Sequence, residues 1–160
     1  KCMTHILIVE DDREICQLYS RILTKNGYQV TGVANGQEAK ANGVFSNLYL
    51  ARCQESLKLK KYQEALDFAT KANEYKENAN AYKLGASAAR VLNNLPACEE
   101  MYMKYLELKP NAKDASDIKV TLAETFRKAG NKAKAKEYFQ MLVNDPKYGA
   151  TAQQILPTLN

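Results

Sequence analysis

The chain has 160 residues, 46% of them apolar and 26% charged, with a formal charge of +5. This is the balance of a folded globular protein, which excludes wholesale disorder. No apolar run approaches the roughly 18 residues of a membrane span. The positive excess lies downstream of residue 43 and is too mild to argue for nucleic acid.

The longest aliphatic run, Ile6-Leu7-Ile8-Val9, suits a buried strand and is too short for a secretory signal. Asp11 or Asp12 is placed to cap a following helix, in which Ile15, Leu18, Tyr19, Ile22 and Leu23 form one apolar stripe. Asn26-Gly27 ends that helix, Tyr28 to Ala34 reads as a second short strand, and Asn35-Gly36 turns into another helix. The four cysteines (Cys2, Cys16, Cys53 and Cys98) form no CxxC pair, and His5 is the only histidine. Metal chelation by Cys and His is therefore unsupported, and a reduced, cytoplasmic setting is expected, with Cys16, Cys53 and Cys98 packing between helices.

This β-α-β order and its wording, ILIVEDD…GYQVTGVANGQEA, resemble the opening of response-regulator receiver (CheY-like) domains over residues 5–39. The resemblance implies a Mg²⁺ site at Glu10 and Asp11, helped by Asp12. It breaks after Ala39, at Lys40-Ala41-Asn42-Gly43, and no later aliphatic run supplies the strand that would carry a phosphate-accepting aspartate. Residues 1–43 therefore read as an incomplete receiver-like fragment in which Glu10 and Asp11 serve as solvated caps, with Mg²⁺ needed only if the acidic pair still works. Two strands cannot cover so aliphatic a run. The fragment is expected to pack on the following helices, to pair with a second copy as a homodimer, or to abandon its strand form.

Residues 44–160 read as helix after helix, separated by short breaks such as Lys60-Lys61-Tyr62, Asn93-Asn94-Leu95-Pro96 and Ala129-Gly130-Asn131. Three segments align as helix, tight turn and second helix with a small residue near its start: Ala65, Ala97 and Ala135. Tyr49, Tyr62 and Ala72 recur in the first, Leu84-Gly85 and LELKP in the second, and Leu122-Ala123, Phe126, Gly130, Phe139 and Asp145-Pro146 in the third. Over residues 45–149 this resembles tetratricopeptide repeats (TPR), whose period is 34 residues. The expected fold is mainly α: a TPR-like helical-hairpin solenoid of three pairs, preceded by the incomplete β-α-β fragment. Residues 150–160 are expected to form a short capping helix that covers the stack with Ile155 and Leu156 and ends at Pro157.

No serine or cysteine sits in a nucleophile elbow, and no Gly-rich loop could cradle phosphate, so no enzymatic activity is expected. Glu99-Glu100 reads as a solvated helix face. The basic cluster of Arg127, Lys128, Lys132, Lys134 and Lys136 reads as solvated helix ends rather than as a nucleic-acid patch. The TPR resemblance implies a groove lined by the first helix of each pair and holding a peptide or partner protein. Its candidates are Asn47, Leu50, Ala51 and Gln54, then Tyr82, Ala86 and Arg90, then Val120, Glu124 and Arg127. Gln54 and Arg90 are poor substitutes for the Lys/Asn clamp of chaperone-tail-binding repeats, so that specificity is not carried over. A protein-interaction scaffold is the favoured reading. The alternative is a two-component signalling protein whose receiver fragment is completed by another chain.

Overall fold

The computed structural model describes residues 4–41 and 43–159. The chain forms two compact units, Lys1–Ala81 and Tyr82–Asn160.

The first unit opens with β1 (His5–Val9), α1 (Arg13–Lys25), β2 (Gln29–Val33) and α2 (Gly36–Ala41). The two strands pair in parallel, with Leu7 opposite Thr31 and Ile8 opposite Gly32. A crossover helix between parallel strands is what the order of apolar runs requires. Asp12 caps α1, its Oδ1 accepting from the backbone N–H groups of Glu14 (2.8 Å) and Ile15 (3.2 Å). The Asn-Gly-Gln-Glu wording is likewise a cap. Asn35 Oδ1 accepts from the Glu38 N–H at 2.8 Å, and Glu38 Oε2 accepts from the Ala34 N–H at 2.5 Å. Gly32 admits α1: a Cβ there would stand 2.4 Å from Cys16 Sγ. On this segment only Val33 and Ala39 are fully buried among the described apolar side chains, and α1 buries none of its residues.

The unit closes with a helical hairpin, α3 (Val44–Lys58) and α4 (Tyr62–Tyr75). Ala65, Ala69 and Ala72 have no exposed surface, which lets α3 approach closely at Cys53. Outside that seam, Tyr49 stacks on Tyr75 (centroids 5.6 Å apart, planes 11° apart), and Phe45 and Phe68 extend the aromatic layer. Ser46 Oγ donates to the Lys76 carbonyl at 3.1 Å, tying the start of α3 to the end of α4.

In the second unit, α5 (Ala79–Val91, which begins at the end of the first) and α6 (Leu95–Leu108) form the second hairpin. The third is α7 (Ala115–Lys128) and α8 (Lys132–Gln140). Leu122, Phe139 and Leu142 are its largest fully buried side chains, and Phe126 stacks on Tyr138 at 5.9 Å. Burial of a side chain of Leu or Phe size stabilises by about 1.5–3 kcal/mol. Burial pushes the thiols of Cys53 and Cys98 up to about 11, so both are packing residues rather than reactive ones. Cys16 is half-buried against β2, and Cys2 lies outside the described residues.

The three hairpins share one turn. Lys60, Asn93 and Gly130 each adopt a left-handed conformation, with φ of 58°, 56° and 77°. The next residue's N–H reaches back to close the helix end: Lys61 to the Ser56 carbonyl (2.8 Å), Asn94 to Ala89 (2.9 Å) and Asn131 to Phe126 (2.9 Å). This is the Schellman geometry, three times over. The residue four beyond the cap is then buried in each second helix, and here the structure corrects the sequence reading. Ala65, Cys98 and Ala135 hold this place, each donating its N–H to the cap carbonyl at 3.0 Å. Ala97 is only half-buried, whereas Cys98 is 1% exposed.

The chain ends in α9 (Gly149–Ile155) and a 3₁₀ turn over Leu156–Leu159. The α-helix stops at Ile155, two residues before Pro157, and the 3₁₀ turn carries the chain on through that proline. Ala152 and Leu159 are the buried anchors, and Ile155 and Leu156 are half-buried. A proline at the second position of a 3₁₀ turn forfeits no internal hydrogen bond, which explains why the turn runs through it. Gly149 is required by space: a Cβ there would meet the Val143 carbonyl oxygen at 2.7 Å.

Candidate functional site

The nine groove candidates and Ala51 fall on three first helices. Asn47, Ala51 and Gln54 are exposed on α3, and Leu50 is half-buried beside them. Tyr82 is half-buried on α5, and Arg90 is exposed near its end. Ala86 is fully buried, so it offers no atom to a ligand and acts as a packing spacer. On α7, Val120 and Glu124 are half-buried and Arg127 is exposed.

Arg90, Val120 and Glu124 meet in one cleft of about 470 Å³ between α5 and α7. Asn93, Thr121, Thr125, Lys128 and Ala129 complete its lining. The α7 side therefore presents Thr121, Glu124, Thr125 and Lys128, which share a helix face by their three- and four-residue spacing. That face lies one step round from the 120/124/127 row expected from the sequence, so Thr121 and Thr125 were not among the candidates and Lys128 was read only as part of the basic cluster. The volume falls within the range of natural ligand clefts.

Charge in the cleft is lopsided. The single carboxylate, Glu124, is already engaged: its Oε2 accepts from Arg127 Nη2 at 2.7 Å and from Nε at 3.1 Å. Arg90 and Lys128 are left facing the space with positive charge, and both stand near helix C-termini, where the dipole favours cations. The two threonine hydroxyls donate to the carbonyls of Asp117 and Thr121, each at 2.6 Å. A hydroxyl that donates in this way keeps its capacity to accept. The walls thus provide cations, hydroxyl acceptors and the aliphatic Val120.

Three Lys–carboxylate–Tyr groups brace the same unit, and none was legible as a motif. Asp114 receives Lys83 Nζ at 2.5 Å on Oδ2, a charge contact that serves an oxygen removed from solvent, while the Tyr105 hydroxyl donates to Oδ1 at 2.8 Å. Glu99 Oε1 accepts from Lys134 Nζ (2.6 Å) and from the Tyr138 hydroxyl (2.7 Å). Asp117 Oδ1 accepts from Lys147 Nζ and from the Tyr148 hydroxyl, both at 2.7 Å. Lys83 holds the Asp114 carboxyl below the ordinary range, and Lys147 does the same for Asp117. Burial, then the Glu99 hydrogen bond, pushes the Tyr138 phenol upward. Glu99 and Lys134 are therefore ties between α6 and α8, not parts of a solvated face and a loose basic cluster.

At the end of β1, Glu10 Oε1 accepts the Asp12 N–H at 3.1 Å, and Asp12 is committed to capping α1. Asp11 is exposed. Among the described residues, no group of three His, Cys, Asp or Glu side chains could hold a metal ion. Among the described residues, no helix is long and apolar enough to cross a membrane.

No family model and no curated protein matches the chain. Among solved structures, yeast Tom70, a helical protein rich in TPR motifs, is similar over 72% of this chain, with a TM-score of 0.59 and 23% identity. The chain spans only 23% of that protein's chain. The likeness is one of fold, and with the three equivalent turns it makes this a TPR-like helical-repeat protein.

Proposed function

We propose that the chain is a non-enzymatic protein-interaction scaffold whose α5–α7 cleft takes an extended segment of a partner protein carrying a carboxylate. One observation carries the reading: Arg90 and Lys128 face a cleft whose only acid, Glu124, is already paired with Arg127. An incoming Asp or Glu meets two cations and no competing anion, while Thr121 and Thr125 offer acceptors to the segment's backbone N–H groups.

Selection of a random dodecamer peptide library on the full chain tests this. Enriched peptides are expected to carry Asp or Glu, and Arg90→Glu with Lys128→Glu should lower their affinity about tenfold or more while leaving the helical spectrum unchanged. Enrichment of uncharged peptides, or acidic peptides indifferent to the double substitution, would contradict the assignment.

A further inference from the structure

The most apolar stripe of α1 is not where the fold needs it. Cys16, Ser20 and Leu23 form the half-buried row, and Cys16 meets Gly32 of β2. Tyr19, Ile15 and Ile22 lie about a fifth to a third of a turn away and Leu18 nearly half a turn, all four 40–56% exposed. On the opposite flank, Arg13, Gln17 and Arg21 line a cleft with Gly32, Val33 and Glu38, on the β2 side. The apolar row therefore overhangs the other side of the sheet, above the free edge of β1.

That edge is open in its backbone as well. The Glu10 N–H donates to Val33 and the Gln29 N–H donates to Thr4, so the even-numbered residues of this stretch bond to β2. Alternation then turns the N–H and C=O groups of His5, Leu7 and Val9 away from β2. The sequence HILIV carries no proline or permanent charge to blunt this edge.

We infer that this surface pairs with a second copy of itself, β1 against β1 in antiparallel fashion about a two-fold axis through Leu7. The pairing is self-complementary at three levels. His5 faces the partner's Val9 and Leu7 faces the partner's Leu7, which yields about six backbone hydrogen bonds in a four-stranded sheet. An axis normal to the sheet brings both α1 helices to the same face, with their apolar rows turned toward each other and their axes about 10 Å apart. Cys16 lies over Gly32 and hence near Ile8, so the middle of α1, at Leu18 and Tyr19, lies over Leu7. The axis through Leu7 therefore also crosses the middle of the helices, setting Ile15 opposite the partner's Ile22. Asp11, at the acidic N-terminal end, then approaches the partner's Lys25 at the basic end. Geometry, apolarity and charge agree on one axis.

Sedimentation velocity of the full chain across about 1–100 µM tests the inference. A concentration-dependent dimer is expected. Ile22→Glu places a charge in the interface twice per dimer and should weaken it about 100-fold, with an unchanged circular dichroism spectrum because Ile22 is exposed in the single chain. Asp11→Lys and Lys25→Glu should each weaken the dimer about threefold to tenfold, and combining them should restore it. A chain that stays monomeric at 100 µM leaves this face to some other protein and overturns the inference. So does a dimer indifferent to Ile22→Glu and to the charge exchange.

Discussion

The β-α-β segment and the third helical hairpin handle the same kind of residue in opposite ways. In α7 and α8 the large apolar side chains go inward: Leu122 and Phe139 have no exposed surface, and Phe126 and Tyr138 stack beside them. In α1 a cleaner amphipathic pattern buries nothing, and Leu18, Tyr19 and Ile22 face solvent. Periodicity says that a helix has an apolar face; it does not say that the chain contains what covers it. In the third hairpin α7 and α8 cover each other. The β-α-β segment has two strands and one crossover, too few to enclose it.

The widest gap should come from one substitution made on both sides. Leu122→Ala removes a fully buried side chain and should cost about 3–5 kcal/mol, whereas Leu18→Ala in dilute protein should stay within about 0.5 kcal/mol. Urea unfolding followed by circular dichroism compares them, and equal losses would erase the contrast. Next comes Gly149→Ala, whose Cβ would press on the Val143 carbonyl oxygen, a backbone atom unable to step aside. A loss of about 1–3 kcal/mol is expected on the same unfolding curve.

A smaller effect sharpens the comparison among the hairpins themselves. Lys60 holds a left-handed conformation that Gly130 adopts freely, so Lys60→Gly should stabilise by about 1 kcal/mol and Gly130→Ala should destabilise by a similar amount. Thermal melts of the two variants should move in opposite directions. The mildest probe is acid. The carboxyls of Asp114, Asp117 and Asp145 sit below their ordinary range, through Lys83, Lys147 and Ser116 in turn. Their stabilisation is present above the unfolded carboxyl value of about 3.9 and is lost as pH falls through the lower folded values. Melting temperature should therefore drop below about pH 4, and Asp117→Asn should make that drop shallower.

Local signals carried much of the fold. Asn35-Gly36 with Glu38, Asn94 before Leu95-Pro96 and Gly130-Asn131 all announced ends that the structure realises as caps and turns. Size alone misled at Ala97: counting four residues from the Asn94 cap reaches Cys98, whose small side chain fills the same place. Ala86 was assigned to the groove by spacing, yet its face of α5 turns inward. The Lys–carboxylate–Tyr ties join residues up to 39 positions apart and leave no local trace, so Glu99 could not be told from a solvated acid. In the cleft, Arg90, Val120 and Glu124 were legible from helical spacing. Lys128 was not, because the face of α7 turned to the cleft is fixed by packing against α8.

Amide hydrogen exchange on the full chain at low and high protein concentration tests most directly whether the repeats are self-sufficient while the β-α-β segment needs a neighbour. The amides around Leu122 and Phe139 should be strongly protected at both concentrations, and that of Leu7 should become protected only at the high one. Leu7 exchanging at the same rate at both concentrations, or repeat amides slowing only as the protein is concentrated, would contradict the division.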